Sequence, residues 1–119
     1  MIGRLIALLF LGREIAHREH LRTKSYAQHM ALNAFYEGVI EKADSIAEAY
    51  QGRHGIIDSI PMLTETAGSD IVTTLEKQLA AIEKLRYTAV SKDDTAIQNL
   101  IDEAVELYLS TLYKLKNLK

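Results

Sequence analysis

The sequence predicts an all-α protein, an antiparallel four-helix bundle, on three observations. Apolar residues recur at steps of three and four through four long stretches. No stretch alternates with the period of two that a half-buried strand needs, and turn-forming residues gather at three places. The size agrees: 119 residues, 48% of them apolar, fill one core and stay below the length at which chains divide, so one domain over residues 1–119 is expected.

The first helix is expected from residue 2 to about 22. Ile2, Leu5, Ile6, Leu9, Ile15 and Ala16 keep helical spacing, and no Pro interrupts them. The uncharged run from Leu5 to Gly12 is far short of the roughly 20 residues that span a membrane. Arg13-Glu14 follows where a secretory signal has a small-residue cleavage site. A cytoplasmic location and no membrane partner are therefore expected. Leu8, Leu9, Phe10 and Leu11 are consecutive, so this helix is apolar nearly all round. A second copy of the chain is expected to cover the side that a bundle leaves open.

Thr23 and Ser25 are both able to cap a helix, which predicts a break at residues 23–25 and a second helix from 25 to 51. Leu32, Tyr36, Val39, Ala43, Ile46 and Tyr50 form its stripe, and Gly52 is placed to end it. Residues 52–69 hold the only Pro and three of the six Gly, so they form the long connection. Ile56, Ile57, Ile60 and Met62 are too apolar for a free loop, and they are expected to pack down with one short helix before Pro61. Ser69-Asp70 caps a third helix over 70–90, on Ile71, Leu75, Leu79, Ile82, Leu85 and Ala89. After the polar turn Ser91-Lys92-Asp93-Asp94, a fourth helix over 94–117 carries Ile97, Ile101, Ala104, Tyr108, Leu112 and Leu115.

Composition closes several routes to function. The net charge is −2 with scattered Lys and Arg, which does not support capture of DNA or anionic lipid by bulk charge. The absence of cysteine removes disulfides, Cys-ligated zinc, iron–sulfur clusters and thiol nucleophiles. There is no Gly-x-Ser-x-Gly context, phosphate loop or dinucleotide fingerprint. Tyr36, Tyr50 and Tyr108 fall on core stripes.

What remains is imidazole and carboxylate. Three of the four histidines, His17, His20 and His29, lie within thirteen residues; neutral imidazole is the commonest nitrogen ligand of metals. His17 and His20 are three apart and share a helix face. Asp44 and Glu48 are four apart and share a face of the second helix, a common way of holding iron or manganese on a bundle. From His29 to Asp44 is fifteen residues, roughly 22 Å of helix rise, so one chain cannot bring both to one ion. Two copies packed antiparallel about a two-fold axis would bring the histidine end of one helix to the carboxylates of the other. Arg53 and His54, in Gly-Arg-His-Gly, are placed to meet a small anionic ligand.

His17, eleven intervening residues, His29, fourteen intervening residues, Asp44, three intervening residues and Glu48 together resemble the ferroxidase pattern of the Dps miniferritins, in the ferritin-like superfamily. The stretch His20-Leu21-Arg22-Thr23-Lys24-Ser25-Tyr26-Ala27-Gln28-His29, with Tyr50-Gln51-Gly52, is also similar to small Dps-like proteins encoded by phages. The resemblance covers about residues 13–52. It implies a ferritin-like bundle that binds iron at a homodimer interface and oxidises Fe(II), with two histidines from one subunit and an Asp and a Glu from its mate. Arg18 stands where that family has Trp directly after its first histidine, which leaves His20 to replace or join His17. Zinc and manganese suit the same mixed nitrogen and oxygen set. The competing expectation is a non-enzymatic oligomeric helical protein with a structural or ligand-sequestering role.

Overall fold

The computed structural model describes residues 1–65 and 70–119. Four helices form, α1 (Ile2–Arg22), α2 (Tyr26–His54), α3 (Ile71–Ala89) and α4 (Thr95–Asn117), and there is no strand among the described residues.

Local chemistry accounts for the helix ends. Thr23 turns to extended backbone and its hydroxyl accepts the Ser25 N–H at 3.1 Å, while the Ser25 hydroxyl caps α2 by accepting the Gln28 N–H at 3.1 Å. Asp70 caps α3 through the Thr73 N–H at 2.9 Å, and Asp94 caps α4 through the Ile97 N–H at 3.3 Å. Ser69 lies outside the described residues. At the end of α2 the expectation is corrected. The helix continues through Gly52 to His54 and stops at Gly55, whose φ of 91° favours glycine and whose N–H reaches the Gln51 carbonyl at 2.9 Å. Either glycine satisfies the composition rule, but only the one with positive φ turns the chain.

Packing order follows from side-chain pairs between helices. Arg53–Asp94 and Lys42–Glu103 tie α2 antiparallel to α4, and Arg86–Asp102 and Lys116–Glu76 tie α3 antiparallel to α4. Each helix packs on two others: α1 on α2 and α3, and α4 on α2 and α3. Because α2 and α3 then run the same way on opposite corners, the connection between them must travel the length of the bundle. The order is up-down-down-up with one long crossover, in a body of 44 × 24 × 21 Å.

That crossover settles two expectations. It carries no short helix among the described residues, and its apolar side chains divide: Ile57 and Leu63 pack against the core, while Ile56 and Met62 are 82% and 98% exposed. It also passes the start of α1, where the Ser59 carbonyl stands so close to Gly3 that no Cβ would fit. Ile2, Leu5, Ile6, Ala7, Leu8 and Leu9 are buried within one chain, whereas Phe10 stays exposed and Leu11 half-buried in the same apolar run.

The core is built on Leu5, Ile6, Leu9, Leu32, Phe35, Val39, Ile46, Leu75, Ile82, Ile97 and Ile101. Tyr108 stands edge-on to Phe35 at 4.9 Å and donates its hydroxyl to Gln78 Oε1 at 3.0 Å. Both polar groups are buried and burial pushes the Tyr108 phenol up, so it stays neutral far into the alkaline range. Gly12 leaves the space this pair occupies. At the other end, buried Arg86 donates from Nε to Gln98 Oε1 and from Nη2 to the Gln98 carbonyl, each at 2.9 Å, and pins the α3–α4 turn.

Candidate metal centre

His20 closes the last turn of α1 and His29 opens α2, and the tight break between the helices sets their rings face to face. Their centroids are 3.7 Å apart with planes inclined by 20°. The two residues bond reciprocally. His20 Nδ1 donates to the His29 carbonyl at 2.7 Å, and His29 Nδ1 donates to the His20 carbonyl at 2.8 Å. Carbonyl oxygens only accept, so each ring carries its proton on Nδ1 and leaves the Nε2 lone pair free when neutral. The His20 carbonyl is one of the last four of α1, which have no partner inside the helix; His29 therefore caps α1 from the neighbouring helix.

His17, one turn earlier on α1, stacks on Tyr36 at 4.2 Å and is 6.1 Å from His20. Tyr36 meets His20 edge-on at 5.3 Å, donates its hydroxyl to Asn33 Oδ1 at 2.9 Å, and lies 5.7 Å from the Arg13 guanidinium. Tyr26 adds a further ring 6.4 Å from His29. Tyr36, read from periodicity as core, is thus a half-buried wall against the histidines. Reading the sequence missed this ladder because its rungs come alternately from two helices. The only signal was the density of His and Tyr on either side of the break.

Asp44 and Glu48 are exposed on α2, and neither makes an ion pair or side-chain hydrogen bond among the described residues. Since α2 is unbroken from Tyr26 to His54, the helical rise of roughly 22 Å between His29 and Asp44 holds. Among the described residues, no group of three or more His, Asp or Glu converges as a metal site would. His54 is exposed with its ring 4.5 Å from Tyr50, and Arg53 faces Asp94, Nε to Oδ2 at 2.9 Å. The Gly-Arg-His-Gly turn therefore spends its arginine inside the chain.

Geometry also tests which imidazoles fit an ion. A metal ligand must lie about 2 Å from the ion along the ring-plane lone pair. Two nearly parallel rings 3.7 Å apart direct their lone pairs side by side, so His20 and His29 do not fit one ion together while stacked.

A family model described as "Family of unknown function (DUF5856)" matches residues 20–115, from the end of α1 to the last turns of α4. A protein of Enterobacteria phage T4, named "Uncharacterized 14.6 kDa protein in mobD-ri intergenic region", is 27% identical over 112 residues, which is 92% of this chain and 84% of that protein. No solved structure matches the chain.

Proposed function

We propose that this chain, which belongs to the DUF5856 family of unknown function, binds a divalent metal ion between two copies of itself, on a ferritin-like bundle related to the Dps miniferritins. One copy supplies nitrogen from His29, joined by His17 or by His20 once the stack opens, and the other supplies oxygen from Asp44 and Glu48. The observation that supports this most is the state of the donors. The Nδ1 atoms of His20 and His29 are held on backbone carbonyls, the support that metal-ligating histidines commonly have. The carboxylates stand exposed and, among the described residues, unpaired, about four helical turns further along one unbroken helix. The single long crossover agrees, since it is the connection of ferritin-like bundles.

Iron, zinc and manganese all suit such a set; iron leads because of the Dps pattern, with Fe(II) as the substrate of a ferroxidase. A phage relative supports action in the cytoplasm of an infected cell. The test is to equilibrate purified protein with Fe(II) in air, follow ferric absorbance, and measure retained metal and molecular mass. Wild type is expected to retain about one ion per chain as a dimer or larger assembly. The His29→Ala, Asp44→Ala double variant is expected to lose it. Equal metal retention and equal background oxidation in both proteins defeats the proposal.

A second reading has its own observation. The reciprocal bonds already give His20 and His29 a structural task, bolting the α1–α2 hairpin, and a non-enzymatic helical protein would need nothing more from them. Metal-free His29→Ala then melts well below wild type, while added metal moves the wild-type midpoint by nothing.

A further inference from the structure

The side of α2 turned away from α1 and α4 carries one exposed stripe that changes character halfway. Its first part is apolar, with Tyr26 76% and Met30 48% exposed and Ala34 after them. Its second part is Glu37, Glu41, Asp44 and Glu48, all exposed, at steps of four, three and four. Like charges one helical turn apart repel, and none of these four carboxylates has an ion-pair partner among the described residues. The apolar part has the opposite surroundings. Lys114 and Leu118 of α4 border Tyr26 and Met30 across a shallow cleft of about 270 Å³ with no carboxylate in its walls, and Lys24 stands two residues before Tyr26. Neither lysine is ion-paired among the described residues. One surface therefore holds free cations beside exposed apolar side chains at one end and free carboxylates at the other.

We infer that this face docks on the same face of a second copy, with the two α2 helices antiparallel about a two-fold axis. A two-fold contact must be self-complementary. An antiparallel pairing meets that condition, because it lays the lysine end of each copy on the carboxylate half of the other. A net charge of only −2 leaves little bulk repulsion between copies. The charges also set the register. With Lys24 level with the partner's Glu48, the helices cross near residue 36, where the small exposed Ala34 allows close approach, and Lys114 comes beside the partner's Glu41 and Asp44. The inference shares with the metal proposal the premise of two copies and supplies their docking surface. It is reached without the histidines, yet the same register sets His29 within one residue of the level of the partner's Asp44.

Sedimentation of the metal-free full chain in chelator, at about 50 mM and about 0.5 M NaCl, tests the docking, since salt screens exposed charges across that range. Wild type is expected to dimerise at low salt, with a dissociation constant at least about tenfold weaker at high salt. Two double variants reverse the charges at exposed or half-buried positions: Lys24→Glu with Lys114→Glu, and Glu41→Lys with Glu48→Lys. Each alone is expected to weaken the dimer at least about tenfold. Mixed together, the two are expected to pair as wild type does, because every contact regains opposite charges. Ala34→Arg, at the crossing point, is expected to weaken the dimer at both salt concentrations. The inference fails if wild type is monomeric at low salt, if its dimer ignores salt or either reversal, or if the mixed variants stay apart. Its failure is distinct from that of the metal centre. A salt-sensitive dimer that takes up no metal keeps the docking and removes the ion, whereas a dimer that forms only on adding metal removes the docking and keeps the ion.

Discussion

Replacing Gly12 with alanine puts a methyl group where the bundle has room for none. A Cβ there lies 2.5 Å from Tyr108 Oη and 2.7 Å from Gln78 Oε1, against the 3.4 Å at which ordinary contact begins. Those two atoms are buried and bonded to each other at 3.0 Å, so the methyl fits only if the pair separates or α1 shifts. Overpacking costs about 1–3 kcal/mol, and a broken buried hydrogen bond about 1–3 kcal/mol more. Alanine returns about 1 kcal/mol through its better helix propensity. The net loss is roughly 3 kcal/mol, which for a chain of this length lowers the melting temperature by about 12 °C. Circular dichroism during heating and in urea measures it. In a double-mutant cycle, Tyr108→Phe removes the nearer of the two oxygens that the methyl strikes and frees the Gln78 side chain to move, so the Gly12→Ala, Tyr108→Phe protein is expected to recover about 1 kcal/mol relative to the sum of the single changes. A Gly12→Ala protein that melts at or above wild type, or two effects that simply add, refutes the packing argument.

Four further outcomes are expected. Arg86→Met leaves the buried Gln98 oxygens without their donor and is expected to cost about 2–4 kcal/mol in urea unfolding. Asp102→Asn, whose parent carboxylate is 60% exposed, is expected to cost under about 1 kcal/mol. The raised phenol of Tyr108 makes stability alkali-sensitive. Its contribution is complete below the ordinary tyrosine value of 10.0 and declines as pH rises above it; urea midpoints from pH 8 to 11 should fall for wild type and stay flatter for Tyr108→Phe. The Thr73 backbone N–H bonded to Asp70 holds its carboxyl below the usual value of 3.8, so the stability it adds is present above 3.8 and fades as pH falls through the lowered value. Asp70→Asn should shrink the acid-side slope of the urea midpoint without changing the alkaline side.

What could be read directly from the residues was local. Four apolar stripes of helical period, Ser25, Asp70 and Asp94 as caps, and the break after Arg22 depend on neighbours within one or two turns, where spacing and side-chain chemistry decide. Candidate ligands were legible as residue types, and the helical rise alone separates His29 from Asp44.

What only the folded chain decided was long-range. Gly55 rather than Gly52 ends α2, because the direction in which the chain must leave for its crossover sets which glycine takes positive φ. Leu8 and Leu9 are buried within one chain while Phe10 beside them stays exposed, because burial depends on whichever surface arrives there and periodicity names only a face. The same reason governs the histidines. A stripe says that Tyr36 points inward from its helix, but the interlocked His20 and His29 bonds exist only once two antiparallel rods fix both backbones within hydrogen-bond reach.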